Sequence, residues 1–124
     1  MSENYKDYLG ALLAYHRSEN AMGHALRHNL VQGDACETVA EYLDQHPETV
    51  IALAYFDMAL YEPTKAALVA MEERLLSGSV LVFDELNDEH YPGETMAVRE
   101  WLKGKSYIVK RSRFLPDRSF VILK

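Results

Sequence analysis

Apolar positions near the start of the chain recur at helical spacing. Tyr5, Tyr8, Leu9, Leu12, Leu13 and His16 fall on one stripe, with Lys6, Asp7 and Arg17 on other faces. The pattern predicts an amphipathic helix over residues 4–18. Residues 19–29, which include two Asn, Gly23, His24 and His28, fit either a loop or a second short helix. Leu30, Val31 and Gln32 form a short strand candidate ending at Gly33 and Asp34. Residues 38–45 then read as a helix with Val39, Tyr42 and Leu43 on one side, stopped before Pro47.

Residues 50–56 are the most apolar run, without polar alternation, and end in Asp57. Such a strand expects cover on both faces, as in the middle of a parallel sheet. Pro63 suits the first turn of a helix that continues through Leu76, with Gly78 placed to stop it. Residues 79–83 form a second apolar strand, again followed by an acid, Asp84. Strand, helix and strand make a βαβ unit with a right-handed crossover. After a loop, residues 94–102 read as a helix with Ala97, Val98, Trp101 and Leu102 as its apolar side and Gly104 as its stop. Residues 107–109 and 119–123 flank a turn signal at Pro116 and Asp117, so the chain closes on an antiparallel hairpin with Lys110, Arg111 and Arg113 outward. The organisation expected is one domain over 1–124: a helical segment (1–29), an α/β core (30–103) and the hairpin (104–124).

Composition narrows the function classes. Hydrophobic residues make up 48% of the 124 and charged residues 26%, ordinary values for a folded chain. Thirteen Lys and Arg against nineteen Asp and Glu leave a net charge of -6, which argues against a nucleic-acid partner. No apolar run approaches the roughly 20 residues that span a bilayer, and Met1 to Asn4 do not resemble a signal peptide. The expectation is a cytoplasmic protein without a membrane partner. Cys36, the single cysteine, excludes an internal disulfide.

The two strands ending in acids bear on chemistry. In an open α/β sheet the ligand crevice lies beyond the carboxyl ends of the strands, which gathers Asp57, Asp84 and Glu85. Converging carboxylates repel unless protonated or bridged by a cation, and oxygen donors favour a hard ion such as Mg²⁺. The same acids could instead cap helices or face water. His90, in the loop after Glu85, is placed to overhang that crevice as a general base, or to be a solvated loop residue. His24 and His28 have metal-ligand spacing on a helix but no third partner nearby. Cys36 reads as a small buried packing residue or, near a helix start, a reactive thiolate.

Three segments in order, 50–64 (VIALAYFDMALYEPT), 76–87 (LSGSVLVFDELN) and 91–95 (YPGET), make the chain resemble the macrocin-type O-methyltransferase family over residues 30–103. The resemblance implies the class I S-adenosylmethionine-dependent fold, here as its C-terminal half only. The implied fold class is α/β: a partial class I methyltransferase-like three-layer sandwich, its sheet mostly parallel with a C-terminal antiparallel hairpin. It implies that Asp34 and Ala35, at the end of the family's third strand, contact the adenine. It also implies that Asp57 and the Asp84–Glu85 pair hold Mg²⁺ against a sugar diol, lowering its hydroxyl pKa by Lewis acidity.

Two departures shape the functional expectation. Ala59 stands where the family's Asp-x-Asp motif has its second acid. No Gly-rich strand–turn–helix is present, since Gly10 and Gly23 lie in or after a helix, and no acid is placed to hold the ribose hydroxyls. The family's strand order, 3-2-1-4-5-7-6, would then leave the 50–56 strand with an open edge, to be covered by strand 30–32, by the N-terminal helix or by a second copy. The expectation is a truncated, non-catalytic binding or interaction protein acting as a homodimer, with Tyr5, Tyr8, Leu12 and Tyr15 as its surface and S-adenosylmethionine unlikely to bind this chain alone. The alternative is a metal-dependent methyltransferase active only with a partner chain that supplies the missing strands.

Overall fold

The computed structural model describes residues 5–25 and 27–124. The readings of residue 4 as the helix start, of residues 1–4 as a non-signal sequence and of Leu26 within 19–29 lie outside the described residues. The chain divides into two compact units, Met1–Gly33 and Asp34–Lys124.

In the first unit, α1 spans Tyr5–Glu19, close to the predicted helix. Its aromatic stripe is exposed, Tyr8 at 62% and Tyr15 at 61%. Residues 20–25 form turns rather than a second helix: Gly23 donates its N–H to the Asn20 carbonyl, and Ala25 donates to Met22. A β-carbon on Gly23 would stand 2.0 Å from the Arg17 carbonyl oxygen, so the chain folds back on the end of α1 only with glycine there. Residues 30–32 form no strand. A short stretch without a neighbouring ladder has nowhere to place its backbone hydrogen bonds in a sheet, and stays irregular.

In the second unit, α2 (Ala35–Gln45) begins three residues before the predicted helix. Asp34 is its N-cap and accepts the Cys36 N–H at 2.9 Å. The elements β1 (Ile51–Phe56), α3 (Tyr61–Met71) and β2 (Leu75–Phe83) follow. Gly78 lies inside β2 at φ +91° rather than ending a helix. The register passes from Ile51 opposite Leu75 to Leu53 opposite Val80, and the surplus residues on β2 are absorbed around that glycine. Ser79 holds the irregularity, its hydroxyl donating to the Ile51 carbonyl at 2.7 Å and accepting the Leu76 N–H at 2.9 Å. The chain ends with α4 (Pro92–Trp101) and a hairpin of β3 (Tyr107–Arg111) and β4 (Ser119–Leu123).

The sheet order is β1-β2-β4-β3. Only β1 and β2 are parallel; β4 runs antiparallel to both β2 and β3. The sheet is therefore mixed and mostly antiparallel, which corrects the expected partial, mostly parallel sheet. A single crossover helix makes one parallel pair, residues 30–32 add no second, and the hairpin supplies two antiparallel pairings. Phe56, Leu81, Phe83 and Val121 lie on one sheet face and share a core with Leu43 of α2, Leu68 and Met71 of α3 and Val98 of α4. Phe56 stacks on Phe83 at 4.8 Å between ring centroids. This packing holds the carboxyl ends of β1 and β2 side by side.

Candidate functional site

Phe56 and Phe83 are paired at the ends of the parallel strands, so the next residues, Asp57 and Asp84, leave the sheet as neighbours. Asp57 is exposed and Asp84 is buried. Burial pushes the Asp84 carboxyl up to about 6, and hydrogen bonding to Asp57 and its charge add to the rise. Arg118, just before β4, opposes it: Nη2 lies 3.9 Å from Asp84 Oδ2, while Nη1 lies 2.6 Å from Asp117 Oδ2. Tyr55 lies beside the same guanidinium. The turn of the hairpin thus brings a cation to the acids, because Ser119 pairs with Phe83 and the preceding residue overhangs the end of β2.

Glu94 is the fourth acid. It is fully buried in the first turn of α4, and its Oε1 accepts the Glu85 backbone N–H at 3.1 Å. Burial is the main cause raising its carboxyl to about 7, with the charges of Asp84, Glu85 and Asp57 adding and the Glu85 N–H opposing. Asp84 Oδ1, Glu85 Oε2, Glu94 Oε2 and Arg118 Nε are buried without hydrogen-bond partners. Carboxylates in this state want a proton or a cation.

Ala59 adopts φ +60° and Asn87 φ +69°. Both lie in the left-handed region, where asparagine and aspartate sit more easily than alanine. They shape the two acid-bearing loops. His90 lies in the second of these, with an 88% exposed side chain and its Nδ1 3.5 Å from Asp88 Oδ1. That carboxylate also accepts the backbone N–H groups of His90 and Tyr91, at 2.7 and 3.2 Å.

The structure brings Asp57, Asp84 and Glu85 to one end of the sheet. Asp34 and Ala35 sit at the start of α2 instead, where Asp34 is exposed and its carboxyl is held low by the Cys36 N–H. Cys36 is exposed rather than buried, and its hydrogen bond with Asp34 raises the thiol pKa. His24 and His28 are exposed and line a surface hollow of about 440 Å³ with Arg17 and Asn20 rather than sharing a helix face. Glu94 and Arg118 escape sequence reasoning. A glutamate in a first helical turn looks like an ordinary dipole partner, and Arg118 looks like one more cation of the turn.

Oxygen donors of the type Mg²⁺ takes are available at Asp57, Asp84 and Glu85, and the orphaned Asp84 Oδ1 and Glu85 Oε2 fit such an ion. Among the described residues no three His, Cys, Asp or Glu side chains are already arranged as a metal-holding group. Among the same residues no helix is long and apolar enough to cross a membrane.

The architecture is a class I methyltransferase-like α/β fold with a mixed, mostly antiparallel sheet. Two solved structures carry the comparison. The apo structure of CalS11, a TDP-rhamnose 3'-O-methyltransferase of calicheamicin biosynthesis, is 41% identical, with a TM-score of 0.88 over 98% of this chain and 52% of its own. A second crystal structure of CalS11, the calicheamicin methyltransferase, is 40% identical, with a TM-score of 0.86 over 98% of this chain and 48% of its own. The chain thus spans about half the length of the structures it matches. No protein-family model and no curated protein matches it.

These likenesses correct several expectations. The expected match to a C-terminal half only, over residues 30–103, is corrected: the likeness runs over 98% of this chain. The expectations of a truncated, non-catalytic domain and of a separate partner chain that completes its fold are corrected by the match, which lays 98% of this chain onto a single methyltransferase chain. So is the expectation that S-adenosylmethionine is unlikely to bind this chain alone. All of them rested on the missing Gly-rich turn and on where the chain begins. The residues that are present align with about half of a methyltransferase chain.

Proposed function

We propose that the chain catalyses O-methyl transfer from S-adenosylmethionine to a hydroxyl of a nucleotide-linked deoxysugar. One observation carries this: Asp57 and Asp84 meet at the carboxyl ends of β1 and β2 in a chain 41% identical to CalS11. The hydroxyl oxygen would bond to the methyl carbon as the carbon–sulfur bond breaks, sulfur keeping the electron pair, and the hydroxyl proton must go to a base.

His90 is our candidate for that base. Asp88 engages Nδ1, which leaves Nε2 to take the proton. Asp57, Asp84 and Glu85 would hold Mg²⁺, which when bound supplies a Lewis acid for the sugar oxygens. Arg118 keeps Asp84 from rising further above its ordinary pKa, so a carboxylate remains available to orient a sugar diol. Asp34 is ionised and uses one oxygen for the α2 cap, and a carboxylate has lone pairs to spare for the adenine amine, beside Ala35. An exposed free thiol at Cys36 suits a reducing compartment, and we assign the protein to the cytoplasm.

Calorimetric titration tests this reading. The chain should bind S-adenosylmethionine and, with Mg²⁺ present, a TDP-linked deoxysugar. Silence toward both ligands would overturn it.

A further inference from the structure

Three consecutive residues in the first turn of α4 fasten three different points of the acid-bearing loops. Gly93 packs against the segment after Asp57 so closely that a β-carbon there would lie 2.6 Å from the Tyr61 nitrogen and 3.0 Å from the Ala59 carbonyl oxygen. Glu94 accepts the Glu85 N–H at 3.1 Å, and the Thr95 hydroxyl accepts the Asn87 N–H at 2.7 Å. We infer that this turn, and Glu94 above all, is a positioning element that sets the Asp57 loop and the Asp84–Glu85 loop against each other for the methyl transfer proposed above. The inference rests on that reading of the site.

The choice of residue at 94 supports it. A helix N-terminus gains from an acid that stays in water, and burial forfeits hydration of the carboxyl. Glu94 is nevertheless fully buried, with one oxygen spent on the Glu85 backbone and the other without a partner. A leucine would pack there more cheaply and leave the Glu85 N–H unpaired. Asn87 shows the same need: its left-handed backbone is tied to α4 by the bond to Thr95, whereas the Asp88 turn binds the loop only to itself. Glu94 acts through the Glu85 backbone, which carries the neighbouring Asp84 with it.

The test uses the full chain and three variants: Glu94→Gln, Glu94→Ala and Thr95→Val. Steady-state methyl transfer and amide hydrogen exchange are measured on each. Glutamine keeps the acceptor oxygen, so Glu94→Gln should retain kcat within about threefold. Glu94→Ala and Thr95→Val should lower kcat by about 10–100-fold with KM for S-adenosylmethionine unchanged, the cost of acids displaced by a fraction of an ångström. The Glu85 amide should exchange faster in Glu94→Ala, and the Asn87 amide in Thr95→Val.

A folded Glu94→Ala with the original kcat would overturn the inference, as would a Glu94→Gln as impaired as Glu94→Ala. If Glu94→Ala does not fold, Thr95→Val, which removes one acceptor at nearly constant volume, decides by the same two readouts. If the unsubstituted chain transfers no methyl group, the proposed reaction fails and amide exchange alone judges the turn. Undiminished protection of the Glu85 amide in Glu94→Ala, or of the Asn87 amide in Thr95→Val, would then refute it.

Discussion

Arg118 and Asp84 join the hairpin to the acid site, with Nη2 3.9 Å from Oδ2. Asp84 is buried beside the acids Asp57 and Glu85, and the guanidinium favours its charged carboxylate against them. Replacing Arg118 by Gln should push the Asp84 carboxyl further above its present value of about 6. Carboxyl titration followed by NMR checks this, and an unchanged Asp84 titration would contradict it. Methyl transfer near neutral pH should fall about 10-fold or more, since less Asp84 is ionised.

Stability should fall as pH rises through the acidic range and level off above the higher folded value, about 7. Glu94 has a folded-state pKa of about 7 against an ordinary 4.5, and Asp84 about 6 against 3.8. Between each pair of values the folded chain holds a proton that the unfolded chain has released. The stabilisation from each raised acid is therefore present at low pH and lost as pH climbs toward the folded value. Each group contributes a slope of up to about 1.4 kcal/mol per pH unit. Thermal unfolding from mildly acidic to mildly alkaline buffer should show a declining midpoint, with a shallower decline in Glu94→Gln. A midpoint that rises with pH would contradict the assignment of strain to these acids.

Ala59 offers a gain-of-function test. It occupies a left-handed conformation at φ +60°, which aspartate tolerates better than alanine. Ala59→Asp should fold at least as well as the parent and add an oxygen donor beside Asp57. Mg²⁺ affinity measured by calorimetry should rise about 10-fold, the scale seen when outer ligands of a metal site are altered. Unchanged Mg²⁺ affinity in a folded variant would separate position 59 from the site.

Asp34→Ala removes the cap of α2 and the acceptor for the Cys36 N–H. Its midpoint should drop by about 5 °C. Because the folded state holds the Asp34 carboxyl below its ordinary value, the stabilisation it gives is present above that value and lost as pH falls through the folded one. The difference between Asp34→Ala and the parent should therefore vanish in strong acid. A difference persisting there would show that the cap is not what Asp34 contributes.

The βαβ unit was legible in the sequence because residues 50–56 and 79–83 are nearly continuous apolar runs, each followed by an acid. That same reading led to Asp57 and Asp84 as neighbours. The hairpin was legible from its turn residues. The sense of the whole sheet was not, because residues 30–32 look like a strand and only a paired neighbour would make them one. Gly78 misled for a related reason: positive φ serves a helix end and a strand irregularity equally, and the choice depends on the register with β1. Glu94 and Arg118 were hidden by burial, which local sequence does not show for a charged residue. Both acquire their role from elements brought together by the fold.

Methyl transfer is proposed at the acids that follow β1 and β2. The most direct measurement is mass spectrometry of a TDP-linked deoxysugar incubated with the chain, S-adenosylmethionine and Mg²⁺, beside the Asp84→Asn variant shown to be folded by circular dichroism. A methylated sugar and S-adenosylhomocysteine are expected from the unsubstituted chain, with a loss of about 100-fold or more in the variant. No methylated sugar from the unsubstituted chain, or equal product from Asp84→Asn, would contradict the proposal.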